Sequence, residues 1–256
     1  MSMLASPSEL ATGTAGLIED LSQGAGDLYA LIDQSVVPST LRAAMNDFGE
    51  RREFMRPGMT PSWHTPVLIS LQGFTPARQL RFARFVGESL PYANALSLLK
   101  TEQPPEQFLK SLCVRSRVEL VGGMTAVLRW FDGRCLASLP RILTPDQWAF
   151  LRMPVTSWRY VDRQGAWQEV KVDGSTSGLD TLSLSQEQED ALVEDGVPDA
   201  VLDQLLSRFH PALDGLLPPQ QYEQVVTHLS KLTVAERMDI SSAADALSGS
   251  LLAVVS

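Results

Sequence analysis

The run Leu128-Arg129-Trp130-Phe131-Asp132-Gly133-Arg134-Cys135-Leu136 sets three charges inside an otherwise apolar segment. A charge beside buried aromatics needs a partner before it can leave water. Read as a strand and its exit, alternation puts Val127, Arg129 and Phe131 on one face and Leu128, Trp130 and Asp132 on the other. Arg129 or Arg134 with Asp132 can form a planar, two-pronged ion pair that fixes the strand end and the direction in which the chain leaves it. A structural charge pair is the expected role, since buried pairs more often specify a fold than carry out chemistry.

Around this run the pattern alternates between short apolar strands and capped helices. Leu28 to Asp33 reads as a buried strand closing on an acid, followed by a helix start at Pro38-Ser39-Thr40 and an amphipathic stretch to about Phe48. A loop with Pro57, Gly58, Pro61 and Pro66 leads into a second core strand, Val67 to Leu71. Thr75-Pro76 opens a helix to about Ser89, ending before Pro91, with Arg78, Arg81 and Arg84 on a solvated face and Leu80, Ala83 and Val86 nearer the other. Pro104-Pro105 starts a helix through Phe108, Leu109 and Leu112. Val114, Ser116, Val118 and Leu120 then alternate with Arg115, Arg117 and Glu119, and Gly122-Gly123 turns the chain into a returning strand from Met124 to Phe131. Thr144-Pro145 caps a helix with Trp148, Phe150 and Leu151 that Pro154 ends, and a hairpin around Gly165 joins Ser157–Val161 to Trp167–Val172.

The sequence changes character after Val172. Residues 173–182 are linker-like, and beyond them come short helices with their own caps. Ser185 and Gln188 have capping-box spacing for a helix stopping near Gly196, and Pro198 opens another with Val201, Leu202, Leu205, Leu206 and Phe209, ending before Pro211. Pro218-Pro219 precedes a third, with Tyr222, Val225, Val226 and Leu229. Thr233 and Glu236 repeat the box, and Ser241 or Ser242 caps the last helix, with Ala244, Leu247 and Leu251. The expected class is therefore α+β: an α/β domain over 27–172 with a mixed sheet and flanking helices, and an all-helical lobe over 183–256. Residues 1–26, small and polar, read as a flexible N-terminal segment.

Charge follows the same division. Residues 1–172 carry 18 basic and 16 acidic side chains, whereas 173–256 carry 3 basic and 14 acidic ones. Such an acidic lobe disfavours nucleic acid and anionic membranes and favours a basic protein surface. No run approaches a membrane span, the first residues have no cationic start or continuous apolar stretch, and Cys113 and Cys135 form no metal motif. Together these features suggest a cytoplasmic protein with reduced thiols.

Motifs for catalysis are sparse. His64, His210 and His228 have no spaced carboxylate or cysteine companions of metal-site type. Ser97-Leu98-Leu99-Lys100 matches the Ser-x-x-Lys pattern of penicillin-recognising enzymes without that family's companion motifs, and residues 174–178 resemble a nucleophile elbow only superficially. No catalytic residue, metal or cofactor is expected. The rival readings are a hydrolase with a dispersed site using His64 or Ser97, and a regulatory module sensing a small ligand.

In their order and spacing, Leu28–Asp33, Pro66–Leu71 and Leu128–Arg134, with Leu139, Pro145, Gln147 and Trp158 downstream, resemble the type VI secretion effector chaperones, or adaptor proteins. The third segment matches that family's Leu-Arg-Phe-Tyr-Asp-Pro-Arg type motif except that Gly133 stands where proline is usual, which implies a freer exit turn. The resemblance implies a non-enzymatic protein that binds a cognate toxic effector and assists its loading onto a VgrG spike or a PAAR-containing partner. It makes Asp33, Arg129, Asp132 and Arg134 a structural latch. Val201, Leu202, Leu205, Phe209 and Tyr222, on the acidic helices, are the candidate effector contacts.

Overall fold

The structure is a computed structural model that describes residues 6–35, 37, 39–48, 51–53, 65–89, 94–208, 213 and 215–255. It has two compact units, Met1–Ser185 and Gln186–Ser256. The first holds α1 (Pro7–Ser22), β1 (Asp27–Ile32), α2 (Ser39–Ala44), a 3₁₀ turn (Met45–Phe48), β2 (Arg51–Glu53), β3 (Val67–Ser70), α3 (Pro76–Glu88) and β4 (Leu96–Thr101). It continues with α4 (Pro105–Arg115), β5 (Arg117–Glu119), β6 (Thr125–Val127), α5 (Gly133–Leu136), α6 (Leu139–Ile142), α7 (Pro145–Arg152), β7 (Val155–Val161), β8 (Trp167–Val170) and β9 (Leu182–Ser183). The second holds α8 (Gln186–Ser207), α9 (Pro218–Leu229), α10 (Val234–Met238) and α11 (Ile240–Val255). The class is α+β, with helices alone in the second unit.

Six strands form one sheet in the order β2-β3-β1-β4-β7-β8, every pair antiparallel. Alternation gives the sheet two apolar faces. Leu28, Ala30, Ile32, Val67, Ile69, Leu96 and Leu98 pack on one side with Leu10 and Ile18 of α1 and Phe82, Phe85 and Val86 of α3. Tyr29, Leu31, Leu68, Leu99 and Trp158 face the other way and are also buried. There Tyr29 meets Phe108 of α4 at a ring-centroid distance of 5.2 Å, and Trp158 meets Trp130 at 5.3 Å. A second sheet, β6-β5-β9, pairs β5 antiparallel with β6 and parallel with β9.

Where a flexible N-terminal segment is expected, the chain forms α1. The box that starts it is reciprocal, since the Ser6 hydroxyl accepts from the Glu9 N–H and the Glu9 carboxylate accepts from the Ser6 N–H, with Pro7 in the first turn. Small residues are what the site needs. A Cβ on Gly87 of α3 would stand 2.3 Å from the Pro7 carbonyl oxygen and 3.0 Å from the Ala11 side chain, so the two helices cross almost backbone to backbone. At the other end of the sheet, the Trp167 indole N–H donates to Thr14, tying α1 to β8.

Other boundaries differ as well. Val114 and Arg115 belong to α4, and the returning strand covers only Thr125–Val127, because after the Leu128 N–H bonds to the Ser116 carbonyl the chain leaves the ladder to form the turn into α5. The Ser-x-x-Lys motif lies in β4, a strand the pattern did not reveal. The residues around Gly196 and Pro198 do not separate two helices but lie inside α8, which runs unbroken for 22 residues. Asp239, not Ser241 or Ser242, caps α11, accepting from the Ser242 N–H and hydroxyl. β9 joins Leu182 and Ser183 to the first unit, so the helical unit begins at Gln186. Pro38, Pro57, Gly58, Pro61, Pro91 and Pro211 lie outside the described residues.

The two glycines of the first helix pair make opposite predictions. Gly87→Ala is expected to destabilise the protein by about 1–3 kcal/mol through overpacking. Gly16→Ala, in mid-α1 with nothing near its added Cβ, should stabilise by about 0.5–1 kcal/mol. Urea unfolding of both variants beside the parent chain measures the difference.

Candidate functional site

Four charged residues converge at one end of the six-stranded sheet. Asp33 follows β1 and is fully buried, and its N–H donates to the Ala95 carbonyl. Its carboxylate accepts from the Ser35 N–H (2.9 Å), the Ser35 hydroxyl (2.6 Å) and the Arg129 guanidinium (2.5 Å). Arg129 also reaches the Ser35 hydroxyl at 2.9 Å and Asp132 at 3.2 Å. Asp132, 1% exposed, holds Arg134 through Nε at 3.0 and 3.1 Å and Nη2 at 2.7 Å. It also caps α5 by accepting from the Arg134 N–H at 3.0 Å.

Both arginines therefore meet Asp132, and the pair across the fold is Arg129 with Asp33. Burial draws the Arg129 pKa down, but the charge of Asp33 and its hydrogen bond, aided by Asp132 and opposed by Arg134, raise it above the ordinary value. The guanidinium stays a cation and keeps 42% of its side chain exposed. With both carboxylates out of water and already surrounded by donors, this cluster acts as a clamp; a proton-transfer pair would need an approach for substrate.

Gly133 corrects the expectation of a freer exit turn. A Cβ there would lie 2.7 Å from the carbonyl oxygens of both Asn94 and Val161 and 3.4 Å from the Tyr160 ring. The glycine is a contact surface between α5 and the ends of β4 and β7. A proline would bring the same Cβ into those carbonyls. Beneath it, the Trp130 indole N–H donates to the Ser116 hydroxyl at 3.1 Å, and Trp158 lies between Trp130 and Trp148.

The remaining chemical motifs are not assembled. Ser97 and Lys100, three apart on β4, point to opposite faces, Ser97 fully buried and Lys100 bonded to the Gln23 carbonyl. They cannot act as a pair. His64, His210 and Phe209 lie outside the described residues. His228 sits on α9, its pKa held below the ordinary value by burial and by Lys231. Among the described residues no group of three or more His, Cys, Asp or Glu could hold a metal, and no helix is long and apolar enough to cross a membrane.

In the helical unit the expected effector contacts are internal. Val201, Leu202 and Leu205 are buried with Val197, Leu213, Val225, Leu229, Ala243, Ala244 and Leu247, and Tyr222 packs against them half-buried. Three helices and the wall of this core use up that stripe. Among the described residues a shallow groove lies open between α8, α9 and α10, lined by Val197, Pro198, Val226, Leu229, Val234 and Met238, with Glu194 and Arg237 paired at 3.7 Å on its rim. Val226 is 39% exposed, Val234 55% and Met238 42%. The available signal was local: Val234 and Met238 stand one turn apart on a five-residue helix, too short to bury both.

No family model, curated protein or solved structure matches the chain.

Two predictions follow from these contacts. Asp132→Ala removes a cap and a bidentate arginine site and is expected to cost about 2–4 kcal/mol. Because Asp33 and Asp132 share Arg129, Asp33→Ala and Asp132→Ala should be non-additive in a double-mutant cycle read by thermal and urea unfolding. The second concerns acid. Hydrogen bonds from Thr233 and Ser242 hold the Glu236 and Asp239 carboxyls below their ordinary values. Stability from these caps is complete above the unfolded values near about pH 4 and is lost as the pH falls through the lowered folded ones. Glu236→Gln with Asp239→Asn should flatten that part of the acid limb, measured as unfolding midpoint against pH.

Proposed function

We propose that the chain is a non-catalytic effector chaperone or adaptor of the type VI secretion class: a cytoplasmic protein that binds a cognate toxic effector and helps to load it onto a VgrG spike or PAAR-containing partner. The observation that carries this reading is the convergence of the segments on which the family resemblance rests. Leu28–Asp33 supplies β1 and Asp33, Pro66–Leu71 supplies β3 beside it, and Leu128–Arg134 supplies Arg129, Asp132 and Arg134. Residues 96 positions apart in sequence are hydrogen-bonded to each other. A chance likeness in scattered segments has no reason to meet at one sheet end.

A chaperone of this kind needs a rigid scaffold and an apolar surface left open for cargo. The clamped sheet supports the first requirement and the groove of the helical unit the second. The Ser97 hydrolase reading loses its dyad, since serine and lysine face opposite sides of the sheet.

Co-expression with the large toxin encoded beside a VgrG gene, followed by size-exclusion chromatography, tests the proposal. The expected result is one co-eluting complex and no hydrolysis of model ester substrates. Separate elution of two folded proteins would overturn it.

A further inference from the structure

We propose that the groove between α8, α9 and α10 takes a cationic amphipathic helix of the protein partner; this rests on the adaptor reading above. The groove determines the conformation of its occupant. All of its walls are helical, so they offer no strand edge, and an extended segment laid there would leave its own N–H and C=O groups unpaired. A helix brings its backbone already satisfied. Val226 and Leu229 on α9 and Val234 and Met238 on α10 are spaced three and four apart, as two ridges that receive the side chains of a third helix.

Charge determines the sign. Gln186–Ser256 holds 12 acidic and 3 basic side chains. On α8 the rim residue Glu194 has Asp190 and Glu187 one and two turns behind it, and on α9 the exposed Glu223 precedes Val226 by one turn. Of the three basic groups, Arg208 is paired with Asp245 and Arg237 with Glu194. Pro198, in the groove wall, has no N–H to give the Glu194 carbonyl. An apolar floor beside the acids Glu187 and Asp190 of α8 and Glu223 of α9, in a unit of strongly negative net charge, fits lysine and arginine flanking a leucine-type stripe.

The test uses the full chain and a fluorescein-labelled amphipathic Leu/Lys peptide of about 18 residues, about five helical turns. A Leu/Glu peptide of the same pattern and a scrambled Leu/Lys peptide serve as controls. Val234→Asp is the first variant: it places an acid in the first turn of α10, which suits a helix, and it makes the groove more negative. Val226→Ser is a second that adds no charge, and circular dichroism with thermal melts confirms that both fold. The expectation is that the Leu/Lys helix alone binds, and that Val234→Asp and Val226→Ser weaken it by about tenfold. Diffuse attraction to acids would leave Val234→Asp equal or tighter, which overturns the proposal, as would equal binding of the Leu/Glu or scrambled peptide. Concentration-dependent dimerisation abolished by Val234→Asp would give the groove to a second copy and also overturn it. Toxin co-elution separates the two levels: lost with the parent chain, it sinks the adaptor reading, whereas retained by Val234→Asp, it sinks only the groove as the cargo site.

Discussion

The contact between Arg129 and Asp33 is the constraint on which the first unit depends. Asp33 is fully buried, and a carboxylate in that position needs hydrogen-bond donors in place of the water it has lost. Ser35 and Arg129 satisfy it, and Arg129 is in turn held by Asp132, which carries Arg134 and caps α5. One chain of charge-assisted bonds thereby fastens the end of the central strand to the turn that follows the β5–β6 hairpin. Gly133 permits the approach, because only a residue without a side chain fits between the carbonyls of Asn94 and Val161. The same segment thus supplies an electrostatic tie and a steric one.

The helical unit is built on other principles. Its core is aliphatic, α10 and α11 start at the Thr233 and Asp239 caps, and its acidic side chains far outnumber its basic ones. Apolar burial and helix caps contribute to its stability, and its excess of acids over bases gives its surface a net negative charge. The two halves of the chain thus differ in kind, the balanced half carrying the clamp and the acidic half the open groove.

Much of this arrangement was readable in the residues. Gly122 and Gly123 adopt positive φ in the β5–β6 hairpin, Thr75 and Thr144 cap their helices, and the hairpin around Gly165 pairs β7 with β8. The local rules failed where tertiary packing decides. In α1, glycine, alanine and threonine look like a polar tail but are the small residues that let it lie on α3. In β4, Ser97 and Lys100 disguised a central strand, because a buried serine and a lysine turned to the Gln23 carbonyl break the expected run. Gly196 and Pro198 look like a break, yet α8 passes through them, its Val197, Val201 and Leu205 anchored in the core. The stripe Val201-Leu202-Leu205 was legible as an apolar face but not as an inward one, since periodicity shows that a face is apolar and not what covers it.

The clamp's defining bond closes a loop of 96 residues, and drawing together the ends of so long a segment costs about 4 kcal/mol of chain entropy beyond a constant term. Local hairpins and capped helices face no such cost, and once β1 is paired with β4 the stretch left to close between the sheet end and Arg129 is much shorter. The charged turn thus adds one more long-range tie to a sheet whose central pairs, β1 with β3 and β4 and β4 with β7, already join segments far apart in the chain.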